Sequence, residues 1–157
     1  MADNRRRRIV EAQTILTAFG LPTEQRNERA ALTLLALVDL PSQKPWAAAS
    51  NPLRGVTPIM EFVAKHYDKE WAPNTRETVR RFTLHQFEQA GLVLANPDQP
   101  DRPTNSPRYC YQIGPRALAV IRKFRTPDWD NVLRQYLADA RTLAQRYAQD
   151  ATCSVFH

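Results

Sequence analysis

The stretch APNTRETVRRFTLHQFEQAGLV, at positions 72–93, restricts the possible fold more than any other part of the sequence. Its apolar residues recur with the period of a helix, and Asn74 with Glu77 three residues later has the spacing of a capping box. Gly91 is a typical helix end, and the apolar residues around it predict a strand directly afterwards. The residues expected on the buried face of this helix are Val79, Phe82, Phe87 and Ala90.

A short β-hairpin is expected immediately after this helix. LVLA and YCYQI are predicted as its strands, and NPDQPDRPTNSPR between them is a turn-rich loop. A helix followed by a two-stranded wing is the order of a winged helix-turn-helix, in which the helix enters the major groove and the wing reaches the flanking backbone or minor groove. We therefore place the recognition helix at residues 74–90 and the wing at residues 92–113.

Three helices are predicted before this unit. RRRRIVEAQTILTAF predicts the first helix, which Gly20 stops. Thr23 is expected to cap the second, TEQRNERAALTLLALVDL, whose later turns are apolar on most sides and therefore buried. A Pro-rich connection over residues 41–56 is expected to contain one helical turn near Trp46, and Thr57 is expected to cap the third helix.

Two further helices are predicted after the hairpin, in PRALAVIRKF and PDWDNVLRQYLADARTLAQRYAQ, and each opens on a proline, which suits the first turn of a helix. The predicted fold class is mainly α with a small β-hairpin, arranged as a winged helix-turn-helix with additional N- and C-terminal helices. A chain of 157 residues suits a single domain over residues 1–157. Within it, residues 1–8 are taken as a basic arm and residues 148–157 as a tail.

The charge of the chain indicates the class of partner. The net charge is +6, supplied by 18 Arg and 4 Lys against 16 acidic residues, and the guanidinium fork matches phosphate and the guanine edge. The segment from Arg102 to Arg125 contains six cations and no acid, which favours a polyanion partner. A solvated surface in a protein that prefers Arg is the alternative, and charge alone does not separate the two interpretations.

Candidate DNA-contacting side chains lie on the predicted recognition helix and at the hairpin tip. Asn and Arg pair in bidentate fashion with adenine and guanine edges, and the positive end of a helix favours phosphate. Hydroxyl and amide groups beside Arg suit phosphate contacts from the hairpin. The candidates are Asn74, Thr75, Arg76, Thr78, Arg80 and Arg81 on the helix and Arg102, Thr104, Asn105, Ser106 and Arg108 in the wing. An ordinary solvated surface, with Arg81 paired to Glu77, is the alternative.

The four arginines of the basic arm, Arg5 to Arg8, are expected to precede the ordered part of the first helix, because four cations oppose the dipole at a helix N-terminus. Contact with the DNA backbone or minor groove is one function for this arm. A disordered solubilising tail is the other.

The sequence contains no recognisable catalytic centre. Pro97-Asp98 and Pro127-Asp128 supply the first half of a PD-(D/E)xK nuclease motif, but no Lys follows an Asp or Glu at the required spacing. There is no GxSxG, no HExxH and no Gly-rich phosphate loop. We therefore expect this chain by itself to catalyse no reaction and to hold no metal or other cofactor.

Cysteine usage and hydropathy favour a cytoplasmic protein. Cys110 and Cys153 form no CxxC pair and have no His at ligand spacing, so a reduced protein without structural zinc is expected. No apolar run reaches the length of a membrane span. The charged N-terminus has no apolar signal core behind it, so neither a membrane location nor secretion is expected.

Several blocks of the sequence together resemble the N-terminal helix-turn-helix domain of the BsuBI/PstI family of type II restriction endonucleases. The resemblance covers about residues 12–147 and is carried by NERAALTLLALVDL, PWAAASNPLRGVTPIMEFV, APNTRETVRRFTLHQFEQAGLV, PDQPDRPTNSPRYCYQI and TPDWDNVL. It implies a domain that binds double-stranded DNA and helps to recognise a palindromic site, CTGCAG for the founding members. It also implies a dimeric enzyme that cuts both strands with magnesium.

In that family a separate C-terminal nuclease domain follows this one, and here the sequence ends at His157. The nuclease domain is therefore expected to be absent, and magnesium is expected only for that domain. The oligomeric state stays open, and a palindromic target would favour a two-fold homodimer. Three other functions stay open: a standalone regulator of a restriction-modification locus, a fragment that cleaves only with its nuclease part, and a winged helix that contacts proteins instead of DNA.

Overall fold

The fold is mostly helical with one small hairpin, as a computed structural model shows for residues 2–140. Side chains are described in that range except at positions 2 and 25. This architecture confirms the predicted fold class. The elements are α1 (Ala2–Ala18), α2 (Glu28–Leu37), α3 (Val56–Tyr67), α4 (Thr75–Thr78), a π-helical segment (Val79–Leu84), α5 (His85–Gln89), β1 (Val93–Ala95), β2 (Tyr111–Ile113), α6 (Pro115–Ile121) and a last helix whose described part covers residues 129–140.

Helix α2 forms the centre of the core. Every residue of α2 from Ala30 to Leu37 is buried, as its almost wholly apolar sequence predicts, and α2 packs against α1, α3 and the π-helical segment. The prediction that Thr23 caps this helix is wrong. Residues Thr23–Gln25 form a separate 3₁₀ turn, because the Asn27 side chain accepts the free N–H of Ala30 at 2.8 Å and starts α2 there.

Helix α3 begins two residues earlier than predicted, at Val56 instead of Pro58, so Thr57 lies in its first turn and does not cap it. Gly55 precedes the helix in extended conformation. A Cβ atom at Gly55 would lie 2.9 Å from the carbonyl oxygen of Tyr109, so the missing side chain lets the segment just before the second hairpin strand approach the start of α3 closely.

Segments α4, Val79–Leu84 and α5 follow one another without a break and form one helix over residues 75–89, which we call the 75–89 helix. Its buried residues are Val79, Thr83, Leu84 and Phe87. Gly91 ends it with φ of 77°, a conformation that glycine adopts without strain, as predicted.

Two details of the 75–89 helix differ from the sequence prediction. Phe82 and Ala90, expected on the buried face, are exposed. A π-helix turns less per residue than an α-helix, so Phe82 falls behind its expected position on the wheel and its ring turns outward. Asn74 already has helical backbone angles, which is not the extended conformation of an N-cap, and among the described residues its side chain accepts no capping hydrogen bond.

The hairpin strands pair antiparallel, with Val93 opposite Ile113 and Ala95 opposite Tyr111. Arg54 extends this sheet: its backbone N–H donates to Tyr111 at 3.0 Å and its carbonyl accepts from Tyr111 at 2.8 Å. The chain therefore runs from α2 through a bridging residue to α3, the 75–89 helix and the hairpin. This is the order of a winged helix, with the hairpin fastened beside the 75–89 helix.

The first helix begins earlier than predicted. Helix α1 starts at Ala2, so Arg5 to Arg8 lie within it, and the expectation that they precede the ordered helix is wrong. Arg8 turns toward the protein: its guanidinium lies 3.4 Å from Glu11, donates to the Lys44 carbonyl at 2.5 Å and covers the ring of Trp46. These internal partners compensate the unfavourable position of a cation near a helix N-terminus.

Helix α6 and the segment after it pack against the connection between α2 and α3. Arg122 donates to the Ala49 carbonyl at 2.7 Å, and Phe124 packs edge-on against Trp46 and Trp129. The predicted helical turn near Trp46 is present as a 3₁₀ turn, Trp46–Ala48. The end of the last predicted helix, Cys153 and the tail at 148–157 lie outside the described residues.

Within residues 2–140, none of the helices combines the length and the apolar character that a membrane crossing requires.

Candidate nucleic-acid interface

A polar groove runs between the N-terminal half of the 75–89 helix and the tip of the hairpin. One wall carries Arg76, Glu77 and Arg80, together with the start of α3. The other wall is formed by residues 104–107 and Tyr109 of the hairpin loop, which covers residues 96–110, and by Tyr111. The groove brings together five of the residues predicted from sequence: Arg76, Arg80, Thr104, Asn105 and Ser106.

Arg81 lies at the neighbouring part of the same cleft, with His85 and Glu88 on the helix and Thr104 on the hairpin. Its side chain is 71% exposed, the exposure that contact with an external molecule requires. The other predicted residues of this helix are also at the surface: Asn74 is exposed, and Thr75 and Thr78 are half-buried.

A single carboxylate holds two of the arginines. Glu77 accepts from Arg80 Nε at 3.2 Å and from Arg80 Nη2 at 3.1 Å, and it lies 3.4 Å from Arg81 Nε. The hydrogen bonds from Arg80 keep the pKa of Glu77 below its usual range. Arg76 donates instead to the Thr57 hydroxyl of α3. Three guanidinium groups against one carboxylate leave this end of the helix positive, where the helix dipole adds to the attraction for anions.

Arg102 has a different environment from the one its sequence position suggests. Its side chain is only 8% exposed and pairs with Asp98 at 2.9 Å. It also donates to the Arg108 carbonyl at 2.8 Å and to Asn96 Oδ1 at 3.1 Å. Arg102 therefore fixes the shape of the hairpin loop from inside, and the other predicted wing residues carry its outer surface.

The base of the loop explains why Arg102 is drawn inward. Asn96 has a left-handed backbone with φ of 48°, which Asn tolerates better than most residues. Its buried side chain accepts from the Cys110 N–H at 2.9 Å. The Arg102 guanidinium in turn lies 3.2 Å from Cys110 Sγ and holds the pKa of Asp98 below its usual range through their hydrogen bonds.

The outer part of the hairpin loop presents small polar groups. Thr104, Asn105 and Arg108 are exposed, and Ser106 accepts the Arg108 N–H at 3.1 Å, which fixes the turn. Hydroxyl, amide and guanidinium groups of this kind are the usual donors to phosphate.

Sequence reasoning missed the two tyrosines that form the floor of the cleft. Tyr109 and Tyr111 line it on the hairpin side, and their rings meet edge-on at 5.4 Å. Burial raises the pKa of Tyr111 to about 12, and its phenol, protonated at neutral pH like that of any ordinary tyrosine, can donate a hydrogen bond. The alternation in YCYQI was the available signal, because it places both rings on one side of the strand.

The acid-free segment from Arg102 to Arg125 does not form a single basic patch. Four of its cations form ion pairs with acidic residues that lie outside the segment. The pairs are Arg102 with Asp98, Arg116 with Asp139, Lys123 with Asp128 and Arg125 with Glu11. The positive surface at the cleft therefore depends more on the 75–89 helix than the sequence suggests.

Across residues 2–140, no three or more His, Cys, Asp or Glu side chains are grouped closely enough to bind a metal ion.

Comparison with known proteins points to one family. Residues 6–145 match the family model of the BsuBI/PstI restriction endonuclease HTH domain. The chain is 47% identical over 150 residues to the type II restriction enzyme BsuBI of Bacillus subtilis, covering 96% of this chain and 48% of that protein. It is 34% identical over 139 residues to the type II restriction enzyme AplI of Arthrospira platensis, covering 88% of this chain and 43% of that protein.

A solved structure agrees with these sequence relatives. The structure of SdaI restriction endonuclease superposes with a TM-score of 0.78 at 31% identity, over 87% of this chain and 44% of that one. The chain thus spans about half the length of the curated relatives it matches. It belongs to the family of the BsuBI/PstI restriction endonuclease helix-turn-helix domain.

Proposed function

We propose that this chain recognises double-stranded DNA by sequence, as the recognition domain of a type II restriction endonuclease. The 75–89 helix lies in the major groove, and the hairpin loop contacts the flanking backbone or minor groove. The observation that carries the proposal is the cleft itself, which gathers Arg76, Arg80 and Arg81 opposite the hydroxyl and amide groups of the hairpin loop.

The two walls of the cleft have different functions: the helix contacts bases and the hairpin loop contacts phosphates. The 75–89 helix is narrow enough for the major groove, where each base pair presents a distinct pattern of donors and acceptors. Arg80 and Arg81 both pair with Glu77, and Arg81 is the more exposed of the two. Arg81 pairs with the O6 and N7 atoms of a guanine. Thr104, Asn105 and Arg108 donate to phosphates and fix the register of the helix on the duplex.

Glu77 has a positioning role in this arrangement. In the free protein it holds Arg80 and Arg81 over the cleft, which restricts their rotamers before DNA arrives and lowers the entropy lost on binding. The Glu77 carboxylate also repels phosphate. When DNA binds, Arg80 and Arg81 therefore give up part of their ion pairing with Glu77 and contact the DNA instead.

Catalysis and dimer formation are separate parts of the proposal. We propose that the isolated chain binds DNA without a metal ion and does not cut it, and that magnesium serves the nuclease part of the full-length relatives. A palindromic target would be bound by two copies related by a two-fold axis.

Fluorescence anisotropy with a labelled duplex containing CTGCAG tests the proposal. A duplex of the same composition in scrambled order is the control, and both are titrated at low and near-physiological salt in the presence of a chelator. We expect tighter binding to CTGCAG that persists at the higher salt, because base contacts are less sensitive to salt than phosphate contacts. Equal, salt-sensitive binding to both duplexes would contradict sequence recognition by this chain.

A cleavage assay tests the catalytic part. Plasmid DNA carrying CTGCAG is incubated with the chain and magnesium, and we expect it to remain uncut. Linear product that disappears when the chelator is added would show that the chain is itself a nuclease.

A further inference from the structure

The 75–89 helix exposes one large apolar side chain beside its arginines. Of the large apolar side chains that the structure describes, Phe82 is the most exposed, with 59% of its surface accessible. Burying a phenylalanine side chain is favourable, so a ring that stays in water on a helix packed against the core forgoes that stabilisation.

The local helix geometry produces this exposure. Phe82 lies in the π-helical segment Val79–Leu84, and the same segment turns Val79, Thr83 and Leu84 into the core. Short π-helical segments are rare and occur often at functional sites. The segment thus places an aromatic ring on the outer surface of the helix, next to Arg81.

The surroundings of Phe82 favour nucleic acid as its partner. The exposed residues near it on the helix, Arg81 and His85, are polar, and a single ring among polar groups does not make the contiguous apolar patch of a protein interface. The major groove is different, because it offers one compact apolar group per thymine, the C5 methyl, among polar base edges.

We propose that Phe82 is a specificity-determining residue that packs on the C5 methyl group of a pyrimidine, which in unmodified DNA is thymine. This inference rests on the proposed function, since it requires the 75–89 helix in the major groove. Because Phe82 and Arg81 are adjacent on the helix, the thymine lies within about two base pairs of the guanine that Arg81 contacts. Cytosine at this position is disfavoured because it has no C5 methyl group, so the Phe82 ring would lack an apolar partner.

Replacing thymine by deoxyuridine tests this directly, because the exchange removes the methyl group and leaves the hydrogen-bonding edge intact. The target is the duplex that the full chain selects from a random library, and its thymines are replaced one at a time. Loss of one buried methyl corresponds to about 0.8 kcal/mol, so we expect about fourfold weaker binding at one thymine position in each half-site. In Phe82→Ala that ratio should fall to about one, while Phe82→Leu should keep most of it.

Val10→Ala is the matched control, because Val10 is also exposed but lies on α1, and it should leave the deoxyuridine penalty unchanged. If no thymine replacement weakens binding by the full chain, or if the penalty persists in Phe82→Ala, the role of Phe82 is refuted while sequence recognition stands. If the library yields no preferred sequence, both the role of Phe82 and the proposed function fail.

Discussion

The 75–89 helix and the hairpin loop form the two walls of one cleft, but different forces hold them in place. The helix is anchored by apolar side chains such as Phe87 and Leu84, which are fully buried against the core. The loop is held by polar contacts that converge on Arg102. The helix should therefore keep its position unless the whole domain unfolds, whereas the loop can open alone.

The same comparison separates arginines by function. Arg81 and Arg102 are the same residue type on opposite walls, yet one is mostly exposed and the other almost enclosed. In the proposed function the exposed guanidinium of Arg81 contacts DNA, and the enclosed guanidinium of Arg102 holds the hairpin loop in shape.

The anchoring of the helix is tested by Phe87→Ala, compared with Phe82→Ala on the same helix. Phe87 is completely buried, so its truncation should lower the free energy of unfolding by about 3–5 kcal/mol. Phe82→Ala should change it by less than about 0.5 kcal/mol, because the ring is mostly in water. Urea unfolding followed by circular dichroism measures both. Equal losses would mean that the helix is not held by burial of Phe87.

The polar anchoring of the hairpin loop is tested by Arg102→Ala. The change leaves Asp98 and Asn96 without their shared donor, so we expect the Cys110 amide, which donates to Asn96, to exchange its hydrogen roughly tenfold faster. Buried amides of α2 should be much less affected. Arg108→Ala is the control, since Arg108 is exposed. Uniform acceleration across the domain would show that the loop does not open independently.

The division between base and phosphate contacts is tested by Arg81→Ala beside Arg108→Ala. Losing a bidentate guanine contact should cost about 1–3 kcal/mol on the preferred duplex and relax specificity at one position. Losing a phosphate contact should weaken binding to all duplexes alike and reduce the salt slope by about 1. Selection from a random duplex library, with anisotropy at several salt concentrations, separates the two. An unchanged sequence profile for Arg81→Ala would remove it from base recognition.

The smallest effect concerns the pH dependence of Glu77. Its pKa is lowered in the folded protein by the hydrogen bonds from Arg80, so its stabilising contacts are complete above the usual carboxylate range and are lost as the pH falls through the lowered value. In Arg80→Ala the pKa of Glu77 should rise toward its usual value, as a carboxyl NMR titration would show. Arg134→Ala, on the C-terminal helix, should leave it in place. A titration curve that Arg80→Ala does not move would refute the pairing.

Much of the fold follows from the sequence because its signals are local. The apolar run in α2 predicts a central helix, and Gly91 between a helical period and a short strand predicts where the 75–89 helix ends. Asn27 outcompetes Thr23 as a cap because its side chain reaches the Ala30 N–H, a choice that depends on backbone geometry and not on residue type alone.

The sequence predicts most of the residue types that line the candidate site, but it predicts less well which side chains are exposed and which are buried. The exposure of Phe82 depends on a π-helical segment that a regular helical wheel does not represent. The enclosure of Arg102 depends on a left-handed Asn96 and on partners from both ends of the loop. The acid-free segment does not form a basic patch, because two of its arginines form ion pairs with acids that are distant in the sequence, Glu11 and Asp139.

The most direct test of the central claim, that the 75–89 helix enters the major groove and Arg81 contacts a guanine there, is dimethyl sulfate footprinting. The reagent methylates guanine N7, a major-groove atom, and the duplex is the one that the chain prefers. We predict that binding protects a guanine in each half-site, that Arg81→Ala restores its reactivity, and that Arg108→Ala does not. Unchanged N7 reactivity in the bound complex would contradict the placement of this helix in the major groove.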